Sequence, residues 1–426
     1  MARPDEDQRH TPAAEPAVRQ DAPERRPVSR HRIVIVGGGN GGVSAAARLR
    51  RAGVTDIALI EPQSTHRYQP LFSHVAGGTA RASETTRPQA AVMPAGVSWI
   101  RDAVAAVDPR ARTVTLGGGD VVGYEHLVLS PGIVKDWDAV PGLGESLQTP
   151  HVASHYVYDG AQKLSALLRD TRSGTVVFTQ PPGPASCAGA SQKPMYQACA
   201  HWRARGVLDD IRVVLVVPEE TVFGLPHIDA ELDRIVAEYG IELRTASELR
   251  RVDGVSREVV IGPRTGGGAE ERIGYDVLNV VPPQSAPDWI AASGLAAADD
   301  PGGFAEVDPG TLRHRRFDDI WAIGDAAATT NSKSGGALRK QTYVLAKNLT
   351  AALSGRTPAH RYDGYGVCPM TVSRSSVVWA EFGPDGRPDP TIPFLPGMFR
   401  ENRLSWIADR HVLPWVYWNL ILPGRV

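Results

Sequence analysis

A glycine-rich bend between a short apolar strand and an alanine-rich helix is the feature that most narrows what this chain can become. Ile33-Val34-Ile35-Val36 is an unbroken β-branched run, the pattern of a strand buried on both faces of a parallel sheet. Gly37-Gly38-Gly39-Asn40-Gly41-Gly42 follows, Val43 to Arg51 reads as a helix, and Ile57-Ala58-Leu59-Ile60 is a second strand ending at Glu61. Gly37, Gly39 and Gly42 fit G-x-G-x-x-G. The first lets the chain turn, the second lets backbone approach a pyrophosphate, and the third lets the helix pack close to the sheet. The helix N-terminus offers unpaired N–H groups to the phosphates. Glu61 can accept from both ribose hydroxyls, and an acid there argues against a 2′-phosphate and so against NADP. The glycines alone are a weak signal; between a strand and a helix, with an acid about 20 residues on, they are a strong one.

The rest of the chain has room for more than this one βαβ unit. At 426 residues it can form two or three domains around a large core. A formal net charge of -1 gives no sign of a polyanion-binding surface, so no nucleic-acid partner is expected. Only Cys187, Cys199 and Cys368 carry thiols, too few for a disulfide scaffold; they point to a reducing compartment and to redox or catalytic work. No metal site is expected. Residues 1–30 mix Arg, Asp, Glu and Pro and read as a disordered tail without the apolar stretch of an export signal. No run of about 18 apolar residues occurs, so no helix is expected to span a membrane.

Two further segments return to a nucleotide. Leu127-Val128-Leu129-Ser130-Pro131-Gly132 reads as a strand and turn, and Asp319 to Ile323 as a late buried strand followed by Gly324-Asp325 and a helix from about Gly335 to Leu353. In flavoproteins built from two dinucleotide folds, an acid placed like Asp325 holds the ribityl or pyrophosphate part of FAD. Ser130, Gly132, Asp325 and Gln341 therefore join Gly37, Gly39, Gly42 and Glu61 as cofactor-binding candidates. The expected organisation is an FAD-binding domain in two parts, 31–150 and 301–360, split by a second Rossmann-like domain at 151–300, with 361–426 as a C-terminal membrane-facing region.

That second domain lacks its usual loop. After the strand Thr175 to Phe178 come Thr179-Gln180-Pro181-Pro182-Gly183-Pro184-Ala185-Ser186-Cys187, with prolines where an NAD-binding turn needs glycines and backbone donors. A cysteine instead opens the next predicted helix, Cys187 to Arg205, where the helix terminus and Lys193 would stabilise its thiolate. Cys368 stands before Pro369, which can hold the sulfur in a fixed loop. Taken singly, either cysteine can equally be a small core residue, and Cys199, mid-helix, reads as core.

The segments Pro184-Ala185-Ser186-Cys187-Ala188-Gly189-Ala190-Ser191-Gln192-Lys193 and Tyr362-Asp363-Gly364-Tyr365-Gly366-Val367-Cys368-Pro369 resemble the two cysteine segments of the sulfide:quinone oxidoreductases, in the two-cysteine branch that includes the mitochondrial enzyme. Leu312-Arg313-His314-Arg315-Arg316-Phe317, Ser332-Lys333-Ser334 and Leu413-Pro414-Trp415-Val416-Tyr417-Trp418-Asn419 are similar as well. The resemblance implies an α/β fold of two Rossmann-like, glutathione reductase-like domains with a C-terminal membrane-associating region. It implies that sulfide attacks a Cys187–Cys368 disulfide or trisulfide bridge, that Cys368 keeps the sulfur as a persulfide, and that Cys187 forms a charge-transfer or covalent adduct with FAD. Quinone then takes the electrons, and a small thiol or sulfite takes the sulfur. Lys193 is a catalytic candidate, and Phe394 and Lys333 are candidates at the quinone or substrate site. Ile133 to Trp137 lacks the third cysteine found elsewhere in the wider family.

Met398 to Val412 mixes Leu404, Trp406 and Ile407 with Arg400, Arg403 and Arg410, and Leu413 to Leu422 is almost wholly apolar or aromatic. Trp and Tyr favour the bilayer interface, so this region reads as a peripheral membrane edge on the cytoplasmic side, or alternatively as a cover over the core or a dimer interface. Relatives often carry more amphipathic helix after this segment; the stop at Val426 implies weaker docking or docking as a homo-oligomer. The competing functions are a sulfide dehydrogenase with a cytochrome acceptor, an NADH:quinone reductase, and a flavoprotein that binds persulfide without turnover.

Overall fold

The computed structural model describes residues 28–391 and 396–426. The apolar run after Ser29 forms the strand Ser29–Val36, central to a seven-stranded sheet. Its neighbours run parallel: Ile57–Ile60 on one side, with Val97–Ile100 beyond, and Val121–Leu129 on the other, with Ile320–Ala322 beyond. Thr113–Leu116 and Val104–Asp108 extend the sheet antiparallel from Val121–Leu129. The first strand thus begins at Ser29, before the expected limit of the tail at residue 30, because Ser29 and Arg30 pair with Val122 and Gly123. Most of the predicted tail, residues 1–27, lies outside the described residues.

Helices Asn40–Arg51 and Gly335–Leu353 pack side by side on one face of this sheet, burying Val43, Leu49, Leu345 and Leu349 against Ile33, Ile35 and Trp321. The other face buries Val34, Val36, Leu127 and Leu129 under Ala286, Ile290, Leu295 and Phe304. The chain therefore re-enters the first core near Ala286 rather than at residue 301. The short pairing of Gln284–Ser285 with Val134–Lys135 brings it back.

The second sheet has five parallel strands in the order Val152–Ala153, Val277–Asn279, Gly174–Thr179, Ile211–Val216, Glu242–Arg244. Helices Tyr158–Asp170, Lys193–Ala204 and Pro226–Tyr239 pack around it through Leu164, Leu168, Met195, Trp202, Ile228 and Leu232. A hairpin, Gly366–Thr371 with Val377–Phe382, lays Cys368, Met370 and Val378 onto this second core. Just upstream, Tyr362 and Tyr365 belong to the first core. The hairpin therefore bridges the two domains, and its strand carries a cysteine to the seam. Two dinucleotide-type domains, one interrupted by the other, form the molecule.

Candidate active site

The cofactor-side loop shows where its glycines are needed. A Cβ on Gly37, which has φ +95°, would lie 2.2 Å from the Ser130 carbonyl oxygen, and one on Gly42 would lie 1.8 Å from that of Gly37. Both are forced by protein packing. A Cβ on Gly39 or Gly132 meets nothing within 4 Å. The second glycine of the motif and the glycine after Pro131 thus border open space, the place a pyrophosphate and its attached groups need. Glu61 accepts from the Gly38 N–H at 2.7 Å and from the Gln63 N–H at 2.7 Å, which fixes its carboxylate beside the loop. Asp325 lies half-buried on the single turn Gly324–Ala326. Gln341 is buried behind that turn, its Oε1 accepting the Gly324 N–H at 2.8 Å, so it shapes the acid-bearing loop from behind. These residues fit an FAD.

Lys333 ties this loop to the segment that carries Cys187. Its buried ammonium donates to the carbonyls of Asp325 at 2.7 Å and Ala327 at 3.0 Å and sits 4.0 Å from the Phe304 ring centroid. Its own carbonyl accepts the Cys187 N–H at 2.7 Å. Burial lowers its pKa to about 8, against the pull of Asp325 and Asp300. Lys333 therefore joins the nucleotide loop to the cysteine loop.

Cys187 and Cys368, 181 residues apart in sequence, place their sulfurs 3.2 Å apart. The helix predicted to begin at Cys187 begins at Lys193, with Pro194 in its first turn. Cys187 itself has φ 49° and ψ 76°, a left-handed conformation that costs a non-glycine residue about 1–2 kcal/mol, and a short 3-10 turn, Ala188–Ser191, follows it. The reason is close approach to the hairpin. A Cβ on Gly189 would lie 2.4 Å from Met370 Sδ and 2.9 Å from Cys368 Sγ. The loop must curl tightly there, and a regular helix could not.

Several contacts hold this curl. The Tyr156 hydroxyl donates to the Cys187 carbonyl at 3.1 Å, the Ala190 N–H donates to the same carbonyl at 2.7 Å, and the Ser186 N–H donates to Gln284 Oε1 at 3.0 Å. His155 joins Ala190 O to Asn279 Oδ1, at 2.9 and 3.1 Å; burial lowers its pKa to about 4. Tyr156, His155, Gln284 and Gly189 carry no sequence signal of their own; only the fold brings them to the cysteine.

The two thiols are not equivalent. Cys187 is half-buried, and its pKa falls to about 6, first through the hydrogen bond from Cys368, with Lys193 adding to the effect and burial opposing it. Cys368 is buried, and the same hydrogen bond, together with burial, pushes its pKa well up. Lys193 is buried; burial would strip its proton, but Cys187, Cys368 and Asp409 together hold the ammonium firmly charged. The stabilised thiolate thus owes its charge to the partner thiol and a buried lysine rather than to a helix terminus. Cys199 is buried in the second core, with its thiol pushed up by desolvation.

The C-terminal region departs from a simple membrane edge. Arg410 is buried, donating to Glu84 at 2.8 and 3.0 Å and to the Thr79 carbonyl at 2.7 Å, so it faces the protein rather than lipid headgroups. Tyr417 is buried too, hydrogen-bonded to His66 Nε2 at 2.6 Å and packed on Tyr68. Leu404, Ile407, Val412 and Trp415 remain exposed, Leu404 by 79% and Trp415 by 58%. Phe394 lies outside the described residues. Among the described residues, no helix is long and apolar enough to cross a membrane.

Comparison with known proteins bears on the family and the fold. Residues 31–348 match the family model of pyridine nucleotide-disulphide oxidoreductases. The chain is 31% identical to the mitochondrial sulfide:quinone oxidoreductase of Mus musculus over 92% of its own length and 87% of the relative's. It is 33% identical to the corresponding protein of Dictyostelium discoideum over 92% and 86%. In fold it is similar to the sulfide:quinone oxidoreductase structure from Aquifex aeolicus, with a TM-score of 0.76 and 18% identity, covering 91% of this chain and 92% of that one. By fold, coverage and identity, this chain belongs to the sulfide:quinone oxidoreductases, FAD-dependent members of the pyridine nucleotide-disulphide oxidoreductase family.

Proposed function

We propose that this protein oxidises sulfide at the Cys187–Cys368 pair and delivers the electrons to a quinone. The observation that carries the reading is the 3.2 Å approach of two sulfurs 181 residues apart, one on a hairpin strand and the other on a loop with prolines where an NAD-binding turn needs glycines. In the bridged state of the pair, sulfide attacks the Cys368 sulfur. One S–S bond forms there, the bond to Cys187 breaks, and the electron pair of the broken bond leaves on Cys187 as thiolate. The asymmetry of the pair favours that direction, because the sulfur with the lower pKa is the better leaving group. Lys193 stabilises the thiolate charge, while Tyr156 and Lys333 hold the Cys187 backbone in its left-handed bend.

FAD, when bound, accepts the electron pair and passes it to quinone. Gly37, Gly39 and Gly42 with Glu61 would hold its adenosine and pyrophosphate; Ser130, Gly132 and Asp325, with Gln341 behind, would border the rest. The persulfide sulfur would leave to a small thiol or to sulfite. The exposed Leu404, Ile407, Val412 and Trp415 support a peripheral seat on a membrane surface, where a lipid-dissolved quinone is available. Anaerobic mixing of the FAD-loaded protein with sulfide tests the reading. Flavin absorbance should bleach within the dead time to seconds and return on adding a soluble quinone. Absence of bleaching, or bleaching by NADH as fast as by sulfide, would remove it.

A further inference from the structure

The sulfur chemistry described above makes no use of a buried polar group beside it, formed by His74, Asp409, Thr371, Thr79 and Gln197. His74 lies in the short helix Phe72–Ala76 and Asp409 in the C-terminal segment; both are buried. His74 Nε2 lies 3.0 Å from Asp409 Oδ2, and the Thr371 hydroxyl donates to the same oxygen at 3.0 Å. Thr371 ends the strand that carries Cys368, and Lys193 feels the Asp409 charge. The group therefore touches both arms of the cysteine site.

Counting donors assigns the proton. Gln197 Nε2 faces two carbonyls, Ser73 at 3.0 Å and Lys193 at 3.3 Å, so its Oε1 is the acceptor side. The Thr79 hydroxyl has one proton, and the two oxygens it faces, Gln197 Oε1 at 2.7 Å and the His74 carbonyl at 3.3 Å, both only accept. His74 Nδ1, 3.0 Å from Thr79 Oγ1, must then donate. On the other side Nε2 faces a carboxylate, which only accepts, so it donates as well. Donation from both nitrogens, one of them to a carboxylate, makes this ring an imidazolium; His155, between two neutral carbonyl oxygens, has no such anion to hold a second proton. Asp409 is correspondingly held ionised: burial would raise its pKa, but His74, Lys193 and Thr371 outweigh it.

We propose that His74 sets the charge experienced by the cysteine pair: as an imidazolium it offsets Asp409, so that Lys193 acts on the sulfurs as an uncompensated cation. With His74 charged, the three groups sum to one positive charge; without it, they sum to zero and the thiolate loses its support. His74 is thus a positioning residue, acting through Asp409. Of the other charged and titratable groups, Tyr68 faces Asp409 and is kept neutral by burial and by that charge. Around His74, Arg410 is paired with Glu84, and Arg374 donates outward to the carbonyls of Gly77 and Gly78. Around Cys187 stand Cys368, Tyr156, His155 and the more distant Asp325, while the Lys333 ammonium is held by carbonyls. The inference rests on Cys187 and Cys368 being the reactive pair.

The test is the pH dependence of Cys187 alkylation by iodoacetamide. It is measured on FAD-loaded protein after anaerobic phosphine reduction, with the label located by peptide mass spectrometry. His74→Gln should move the midpoint up, and Asp409→Asn should move it down, each by about half to one pH unit, as one charge nearby does. The double variant His74→Gln/Asp409→Asn should return close to the native profile. A purely structural role would move both single variants the same way, and that result, or no shift in His74→Gln, overturns the proposal. Selective 15N-histidine labelling gives a second readout: the signals lost in His74→Gln should be those of a doubly protonated ring at neutral pH, and an unprotonated ring nitrogen would overturn the assignment. Should Asp409→Asn fail to retain FAD, the His74→Gln profile and the nitrogen signals decide. Alkylation uses neither sulfide nor quinone, so this result stands apart from whether sulfide bleaches the flavin.

Discussion

Cys187 concentrates most of what a single residue does here. Its position in front of Lys193 is visible in the chain, but its left-handed backbone and its partner are not. Cys187→Ser should abolish sulfide-driven flavin reduction while leaving bound FAD unchanged; stopped-flow bleaching checks it, and a normal rate would end the assignment. For the native protein the rate of Cys187 alkylation should fall as pH drops through about 6, because the thiolate is the reactive form and protonation removes it. The glycines make a second residue-scale prediction. Gly42→Ala forces a Cβ to within 1.8 Å of the Gly37 carbonyl and should cost about 1–3 kcal/mol or more, with loss of FAD during purification. Gly39→Ala meets no protein atom, so it should leave the melting temperature of the FAD-free protein almost unchanged and weaken only FAD retention. Equal destabilisation of the FAD-free chains would contradict the distinction. The motif shows three glycines; only the packed structure separates two demanded by protein from one that borders ligand space.

Among the elements, the helix Gly335–Leu353 was readable from the chain alone, with the limits the structure gives it. The Ser334 side chain accepts the Ala337 N–H at 3.3 Å. Ser334→Ala should cost about 1 kcal/mol, seen as a small fall in melting temperature. The segment from Pro181 to Gln192 was readable only in part. Its prolines argue against a glycine-type nucleotide turn, yet composition does not reveal that the α-helix waits until Lys193. That delay comes from Gly189 pressing against Met370 and Cys368, a contact made across 179 to 181 positions of sequence. Gly189→Ala should drive the sulfurs apart and slow sulfide-driven bleaching by at least tenfold, with FAD still bound; an unaffected rate would show that the curl is unnecessary. In the C-terminal segment, an arginine-and-tryptophan pattern looks interfacial, but Arg410 finds Glu84 and Tyr417 finds His66 instead. Periodicity gives the faces of such an element, not which face a distant acid will claim.

At the scale of the whole molecule, two dinucleotide-type domains meet along a seam that holds the cofactor loop, Lys333 and the sulfur pair. In the second of them a proline-containing loop that carries Cys187 follows the strand Gly174–Thr179. NADH should therefore reduce the flavin orders of magnitude more slowly than sulfide does; comparable rates in an anaerobic assay would contradict the seam's assignment. Leu404, Ile407, Val412 and Trp415 are exposed along the C-terminal segment, so the double variant Leu404→Glu/Trp415→Glu should lose cosedimentation with lipid vesicles. It should keep turnover with a water-soluble quinone; loss of both would place these residues in the chemistry rather than at the surface. The chain by itself determined the βαβ unit, the acid that follows it, the absent second loop and the residue types able to carry redox work, because these depend on short-range spacing and side-chain chemistry. Tertiary structure alone decided which sulfurs meet, which of them holds the negative charge, and that His74 and Asp409 stand beside them. Those outcomes depend on burial and on charges brought together from distant segments, and no local pattern records either.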